Sequence, residues 1–498
     1  MSEPVISEED GIFELSEPGE LEASPFWNED LKPTRREERT WDTLHIAALW
    51  VGMAINVPTY MLASQLVAGG MSWKQGVFTV FLANVLVLIP MVLNAHAGTR
   101  FGIPFPVYCR SAFGLIGANI PALMRGLVAC GWFGIQTWIG GQAIFAMLAA
   151  IWPGLRSMGT LPLPGSPNSG EFICFLLFWV INIGIVLRGI DSIKVLEGLG
   201  APFLLLIGAA LLIWAYVNAN GFGPMLSEPS KFRTLKEFMP VFAAGLTANV
   251  AFWGTLSLNI PDFTRFARSQ RDQVLGQALG LPPTMTFFAF IGVAVTSATM
   301  VIYNTPIPNP VELLARVGEG RPFVVFLAMA ALTIATLTTN LAANVVSPAN
   351  DITNLNPQKL SFKTGGVITG IVGILMMPWL LMSNANTVFT FLGGYGTMLG
   401  AIGGVLIAEY WIVNKTNLDL PDLYRLEGRY GAWRPTSLAA IFIGMAPCVP
   451  GFLAKISSLQ VAPIFTTISS YSIFVSFFLA LVVHLALRPL DPTSQRAA

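Results

Sequence analysis

Runs of about 20 mostly apolar residues, the length a helix needs to cross a bilayer, recur along the whole chain. They fall near 44–68, 75–97, 121–150, 172–188, 199–218, 238–258, 282–303, 323–344, 365–383, 387–413, 436–454 and 464–487. The polar gaps between them are short, the longest lying near 151–170, 219–237 and 412–435. The pattern predicts an all-α membrane protein with about twelve transmembrane helices and no soluble domain between them. The stretch 103–118 is only weakly apolar and reads as an interfacial helix.

The spans are not uniform lipid-filling helices. The first contains Ile55-Asn56-Val57-Pro58 and the sixth contains Phe252-Trp253-Gly254-Thr255. Pro and Gly loosen backbone hydrogen bonding, which is tolerated at membrane depth only where protein or a watery cavity re-satisfies it. If spans one to five and six to ten are two repeats, these interruptions occupy equivalent places. Paired interruptions point to a transporter site near the bilayer midplane. The expected layout is a domain at 41–487, with repeat one at about 44–218 and repeat two at about 238–413. Two extra helices follow at about 436–487.

Composition agrees with a lipid-facing surface. The chain is 54% hydrophobic and 11% charged, against about 25% charged in an ordinary soluble domain. Net charge is zero, which gives no bulk attraction to nucleic acid. Cys109, Cys130, Cys174 and Cys448 are scattered without a CxxC pair, so neither a disulfide framework nor a zinc site is expected. Residues 1–25 hold Glu3, Glu8, Glu9, Asp10, Glu14, Glu17, Glu20 and Glu22 and no base. A signal peptide needs a basic start and an apolar run. The acidic composition predicts instead a disordered, solvated tail over 1–40, with a second tail at 488–498.

Lys and Arg in the loops set orientation. With a cytoplasmic N-terminus, the cytoplasmic segments carry Lys32, Arg35, Arg36, Arg39, Arg100, Arg110, Arg188, Lys194, Arg265, Arg268, Arg271, Lys359, Lys363, Lys415, Arg425, Arg429, Arg434, Arg488 and Arg496. The opposite side carries only Lys74, Arg156, Lys231, Arg233, Lys236, Arg316, Arg321 and Lys455. Both termini are therefore expected in the cytoplasm of a multi-pass protein of the cell membrane.

Trp132 and Gln136 in the third span stand at i and i+4 on one helix face, as do Trp138 and Gln142 on another. An indole that stacks and a carboxamide that exchanges hydrogen bonds suit a planar amide heterocycle. Helix packing through Gly131, Gly134, Gly140 and Gly141, with Gln as polar glue, uses the same pattern. In the eighth span Asn340 and Asn344 share a face, and Thr338 and Thr339 offer adjacent hydroxyls. Neutral oxygens of this kind suit Na⁺, with carbonyls near Gly52 and Ile55 completing the set; the same hydroxyls can instead bond back into their own helix. Asn56 and Trp253 add an amide and an indole from the two interrupted spans.

Arg125, Glu409, His45, His96 and Asp262 sit near span margins and read as interfacial groups that snorkel, cap or pair at gates. No buried carboxylate stands out as a proton carrier, which modestly favours a cation held by neutral oxygens. HExxH, Walker A and GxSxG signatures are missing, so an enzyme is not expected, and no cofactor is implied beyond a coupling ion.

Several segments together give the chain a resemblance to the nucleobase–cation symporter-1 family. They are Asn28-Glu29-Asp30-Leu31 with Arg39-Thr40-Trp41, Gly52-Met53 through Pro58-Thr59-Tyr60, and Trp132-Phe133-Gly134-Ile135-Gln136. Further along come Leu258-Asn259-Ile260-Pro261-Asp262-Phe263, Asn340 through Asn344 with Ser347-Pro348-Ala349, and Asp422-Leu423-Tyr424. The resemblance covers nearly everything after residue 27 and is nearest to the bacterial allantoin-permease branch.

The resemblance implies a five-plus-five inverted repeat like that of the leucine transporter, with alternating access. It implies Trp132 stacking on one substrate face, Trp253 near the other, Gln136 and Asn344 bonding the amide edge, and Asn56 and Asn340 close by. It places Na⁺ on the carbonyls of Gly52, Ile55 and Ala335 and the hydroxyls of Thr338 and Thr339. It also implies a gate around Phe391 to Tyr395, with no single gating residue assigned. The expected function is import of a nucleobase, ureide or hydantoin, allantoin or uracil foremost, driven by Na⁺ or H⁺. A carrier of another solute, such as an amino acid or vitamin, stays open on the same scaffold, as does a channel or receptor.

Overall fold

The computed structural model describes residues 3–188 and 190–491, with the side chains of 190–201 and of Ala385 excepted. The expected C-terminal tail beyond 491, with Arg496, lies outside the described residues, as does the side chain of Lys194.

Asp42 opens the first span by accepting from the backbone N–H groups of Leu44 and His45, and α1 (Thr43–Ala54) follows. The helix stops at Ile55 and restarts as α2 (Val57–Ala68), where Asn56 caps and Pro58 sits in the first turn. The two halves meet at 60°. Ser72 and Gln75 form a reciprocal cap for α3 (Trp73–Phe101), which ends at Gly102 with φ 70°. Then come α4 (Phe105–Phe113), α5 (Asn119–Ile151), α6 (Ser169–Val186), α7 (Ile190–Asn218) and the short α8 (Phe222–Met225).

The second half begins with α9 (Leu235–Asn259), the single turn α10 (Pro261–Thr264) and α11 (Gln270–Tyr303). It continues through α12 (Pro310–Val317), α13 (Pro322–Asn344), α14 (Val346–Leu355), α15 (Phe362–Leu375) and α16 (Pro378–Leu381) to α17 (Ala385–Ile407), which runs into a π-helical turn, Ala408–Val413. Then come α18 (Pro435–Met445), which continues through a 3-10 turn into α19 (Val449–Ile456) as one span, and α20 (Pro463–Ser470) followed by α21 (Ser472–Leu487). Among the described residues nine spans are long and apolar enough to cross a bilayer, and the bent α1–α2 pair makes a tenth. The apolar helices Pro202–Asn218 and Phe362–Leu375 are shorter, so length and apolarity alone do not fix the count at twelve.

The packing brings corresponding spans of the two halves together. The first and second spans pack against the sixth and seventh, through α1, α2 and α3 on α11 and α3 on α9. The third and fourth pack against the eighth and ninth, through α5 on α13, α14 and α15 and α6 on α15. α17 lies along α9 and α21, outside both groups. Corresponding spans of the two halves therefore intertwine rather than form two separate bundles.

Four expectations need correction. The sixth span is not interrupted at Phe252-Trp253-Gly254-Thr255: α9 is helical throughout and breaks only at Ile260-Pro261. Gly254 lies inside the continuous helix, with Leu399 and Ile473 at ordinary contact distance from where a Cβ would stand. Secondly, α4 is not interfacial, because every residue of it is buried.

Thirdly, 3–40 is not a disordered tail. Strands Val5–Glu9 and Ile12–Glu17 pair antiparallel about Asp10 and Gly11, both at positive φ as a tight hairpin turn requires. Spaced apolar residues Ile12, Leu15, Leu21 and Leu31 are buried while the acids face out. Asn28 Nδ2 donates to the Pro357 carbonyl at 2.6 Å, Tyr424 Oη to the Leu31 carbonyl at 2.8 Å, and Phe362 N to Asp30 at 3.1 Å. Buried Arg39 donates to the carbonyls of Thr34, Thr99 and Phe13. Fourthly, Arg125, Asp262 and Glu409 are buried rather than interfacial, as described below.

Candidate functional site

The break in the first span creates free acceptors. In a continuous helix the Gly52 carbonyl would accept from Asn56 N and the Ile55 carbonyl from Thr59 N. Here Asn56 N bonds to the Ala54 carbonyl at 3.1 Å, and Thr59 N bonds to Asn56 Oδ1 at 2.7 Å. Both carbonyls thus lose their helical donors. Asn56 spends its other end on the Met53 carbonyl at 2.6 Å, so its whole amide serves to hold the break open.

α1 touches α13, where Ala335, Thr338 and Thr339 are buried. Thr338 Oγ1 and Thr339 Oγ1 both donate to the Ala335 carbonyl, at 2.9 and 3.0 Å. With their protons committed inward, both hydroxyl oxygens keep lone pairs. Two diverted carbonyls and two hydroxyl oxygens on touching helices are the neutral oxygen set a small hard cation takes. Among the described residues no cluster of three His, Cys, Asp or Glu offers an alternative metal centre.

The aromatic part of the site comes from α1, α5, α9 and α17. Trp132 lies edge-to-face with Phe252 at 5.1 Å, Phe252 with Trp253 at 4.9 Å, and Trp253 with Trp50 at 5.2 Å. Phe252 thus stands between the two expected stacking indoles, and Trp50 extends the cluster; neither was singled out in the sequence. On the other flank Phe391 approaches Trp132 at 6.1 Å and Tyr395 at 4.9 Å. Trp132 Nε1 donates to Tyr395 Oη at 3.1 Å. Trp138, by contrast, belongs to a separate cluster with Phe175 and Trp379. Gly134 lets α5 and α15 approach, since a Cβ there would collide with the Gly373 carbonyl.

Amides line the same region. Gln136 is buried, and its Oε1 has no partner among the described residues; Trp253 Nε1 and Trp50 Nε1 are likewise buried and unmatched. Asn344 Nδ2 donates to Asn340 Oδ1 at 3.0 Å. Asn340 Nδ2 in turn faces Thr137 Oγ1 at 3.1 Å, Asn182 Oδ1 at 3.2 Å and the Phe133 carbonyl at 3.4 Å. Asn340 is therefore anchored behind Asn344. A buried polar atom without a partner is costly, and Gln136, Trp253 and Trp50 could each offer such an atom to a polar ligand edge.

At the end of the molecule that carries the N-terminal segment, the breaks in the sixth and eighth spans meet. Asn259 donates to Ser347 of α14 and lies 3.5 Å from Asp262, whose other oxygen accepts from Phe105 N at 2.8 Å. Arg125 pairs with Asp351 at 3.4 Å, with both side chains fully buried. Arg434 binds Glu409 at 2.7 Å and Asp491 at 3.0 Å, and Glu409 also meets His484 at 2.9 Å. Sequence reasoning missed Asp351 and His484. A charged residue flanking an apolar window shows its depth, but not the partner that other helices bring to it.

A family described as "Permease for cytosine/purines, uracil, thiamine, allantoin" matches residues 33–485. The purine-uracil permease NCS1 of Arabidopsis thaliana is 46% identical, over 91% of this chain and 76% of that protein. The allantoin permease of Bacillus subtilis is 39% identical over 94% of both. Among solved structures, the nucleobase-cation-symport-1 family transporter Mhp1, closed with bromovinylhydantoin bound, superposes with a TM-score of 0.75. That likeness is at 25% identity and covers 94% of this chain and 97% of that one.

Proposed function

The chain belongs to the family of permeases for cytosine and purines, uracil, thiamine and allantoin, and on that premise we propose that it is a secondary symporter importing a planar nucleobase, ureide or hydantoin. Allantoin and uracil are the foremost substrates. The observation that carries the reading is the pairing of an indole, Trp132, with Gln136, whose buried Oε1 has no partner among the described residues, and with Asn344, whose Nδ2 is spent on Asn340. Trp132 takes one face of the ring, and the amides take its N–H and C=O edge. Trp253 lies toward the other face, behind Phe252. Asn340 anchors the amides, and Asn56 keeps the helix break open.

Na⁺ is the proposed coupling ion, held by the carbonyls of Gly52, Ile55 and Ala335 and the hydroxyls of Thr338 and Thr339. The diverted partners of Gly52 and Ile55 support this set. Because α1 and α13 belong to different helix groups, a cation between them favours one arrangement of those groups. Alternating access is their relative movement, with α17 closing over Trp132 through Phe391 and Tyr395. The protein works in the cell membrane with both termini cytoplasmic. The ordered N-terminal segment and Asp491 lie at one end of the fold, which supports an even number of crossings.

The test is ligand-induced thermal stabilisation of the purified protein, with allantoin, hydantoins, uracil, cytosine and purines, each with and without Na⁺. Stabilisation by at least one of these, strengthened by Na⁺, is expected. Indifference to the whole panel overturns the substrate class, and Na⁺-independent stabilisation overturns the sodium assignment in favour of protons.

A further inference from the structure

The amide chain that runs from α6 through α13 to the site has a direction, and that direction is set by atoms with no choice of role. Thr137 Oγ1 donates its only proton to the Phe133 carbonyl at 2.6 Å, so toward Asn340 it can only accept. Asn182 Nδ2 donates to the Phe178 carbonyl at 2.8 Å, which turns its Oδ1 toward Asn340. The third neighbour is the Phe133 carbonyl itself. One end of Asn340 therefore faces three acceptors, and that end must be the NH₂ group. Reversing it would set an oxygen against three oxygens in a fully buried place.

The consequence passes outward. Asn340 Oδ1 points to Asn344 and accepts from its Nδ2 at 3.0 Å. The atom that Asn344 has left is its Oδ1, an acceptor with no protein partner among the described residues. Asn182 and Thr137 are both buried and lie one side chain behind Asn344.

We propose that Thr137 and Asn182 are positioning residues that fix, through Asn340, the acceptor polarity of Asn344. They thereby select a planar ligand that offers a ring N–H at that edge over one of the same outline that offers a ring-nitrogen lone pair. This rests on the reading that Asn344 borders the substrate. Uracil and cytosine are the matching probes. Their outlines are the same, but uracil presents N3–H beside C4=O, whereas cytosine presents a bare N3 beside C4–NH₂.

The experiment measures binding of uracil and of cytosine to the full-length protein in lipid nanodiscs by titrated thermal stabilisation. Wild type is expected to prefer uracil by about tenfold or more, the cost of one mismatched buried hydrogen bond. The double variant Thr137→Val/Asn182→Leu removes two of the three acceptors and leaves only the more distant Phe133 carbonyl, at 3.4 Å, to orient Asn340, so the preference is expected to fall to within about threefold. Thr137→Ser keeps the hydroxyl and should keep the preference, which loss of packing alone would not predict. If the double variant loses its cooperative melting transition, the single variants Thr137→Val and Asn182→Leu are read in its place, each narrowing the ratio. A wild-type preference that survives in every variant overturns the relay alone, as does equal binding of both bases by wild type. Failure of wild type to bind any of the nucleobase, ureide and hydantoin panel overturns the substrate reading and the relay with it.

Discussion

Trp132 of α5 donates its indole N–H to the hydroxyl of Tyr395 on α17 at 3.1 Å. That bond ties the proposed stacking surface to a helix that lies outside both helix groups. Phe391, one turn away on α17, also packs on Trp132. The expected gate around Phe391 to Tyr395 therefore has an atomic form, in which closing α17 and ordering Trp132 are the same event. Tyr395→Phe removes the acceptor and keeps the ring. A buried hydrogen bond of this kind contributes about 1 kcal/mol, so substrate should dissociate roughly fivefold faster while the protein still melts cooperatively. Dissociation rates from nanodisc-embedded protein check this. Trp132→Ala should abolish uptake with insertion unchanged, and undiminished transport would remove Trp132 from the site.

The N-terminal segment gives the second prediction. Residues 28–39 are held by Asn28, Asp30, Arg39 and the Leu31 carbonyl to loops that belong to both halves. The hairpin of residues 5–17 is largely exposed by comparison. Deleting residues 1–11 should leave the melting temperature nearly unchanged. Deleting 1–40 removes a buried arginine and three buried leucines and should lower it by many degrees. Limited proteolysis should cut ahead of Leu21 and spare 28–39.

How much of this was legible follows from what a linear pattern can carry. The break at Ile55-Asn56 was readable because Asn, Val and Pro in that order cap and restart a helix locally. The sixth span misled: Gly254 looked like an interruption, yet the helix runs through it unbroken. The true break needed only Pro261, which lay in a motif read for resemblance rather than for geometry. The acidic N-terminus looked disordered because composition outweighed four apolar residues that are buried only once the chain folds, the second strand packing on α3. Trp132, Gln136, Asn340 and Asn344 were visible as helical spacings. Thr137 and Asn182 were not, because they act through Asn340 and their meeting depends on α5, α6 and α13 converging.

The buried pair Arg125–Asp351 gives a third prediction. Neither side chain reaches solvent, and Arg125 Nε and Nη2 and Asp351 Oδ1 have no further partners among the described residues. Removing one partner leaves an uncompensated buried charge, at about 3–5 kcal/mol. Arg125→Met and Asp351→Leu should each sharply reduce the yield and melting temperature of folded protein. The two together should recover most of both, since a hydrophobic pair of similar volume avoids the desolvation cost. Melting curves of the double-mutant cycle check this. A loss in the double variant equal to the sum of the two single losses would mean that the pair is not coupled.

The cation set supplies the last. Thr338 and Thr339 share one carbonyl, so each hydroxyl is oriented with its proton inward and its lone pairs outward. Thr→Val keeps the shape and removes the oxygen. If these oxygens complete a site with the diverted carbonyls of Gly52 and Ile55, Thr338→Val/Thr339→Val should bind substrate as wild type does without Na⁺, and added Na⁺ should no longer help. Asn56→Ala acts on the same site from the other side. It frees Thr59 N to return to the Ile55 carbonyl, so it too should weaken the Na⁺ response although Asn56 need not touch the ion. Substrate affinity titrated against Na⁺ concentration separates the cases. A Na⁺ response retained in both variants would place the ion elsewhere, whereas loss in the threonine variant alone would confine Asn56 to the substrate side of the break.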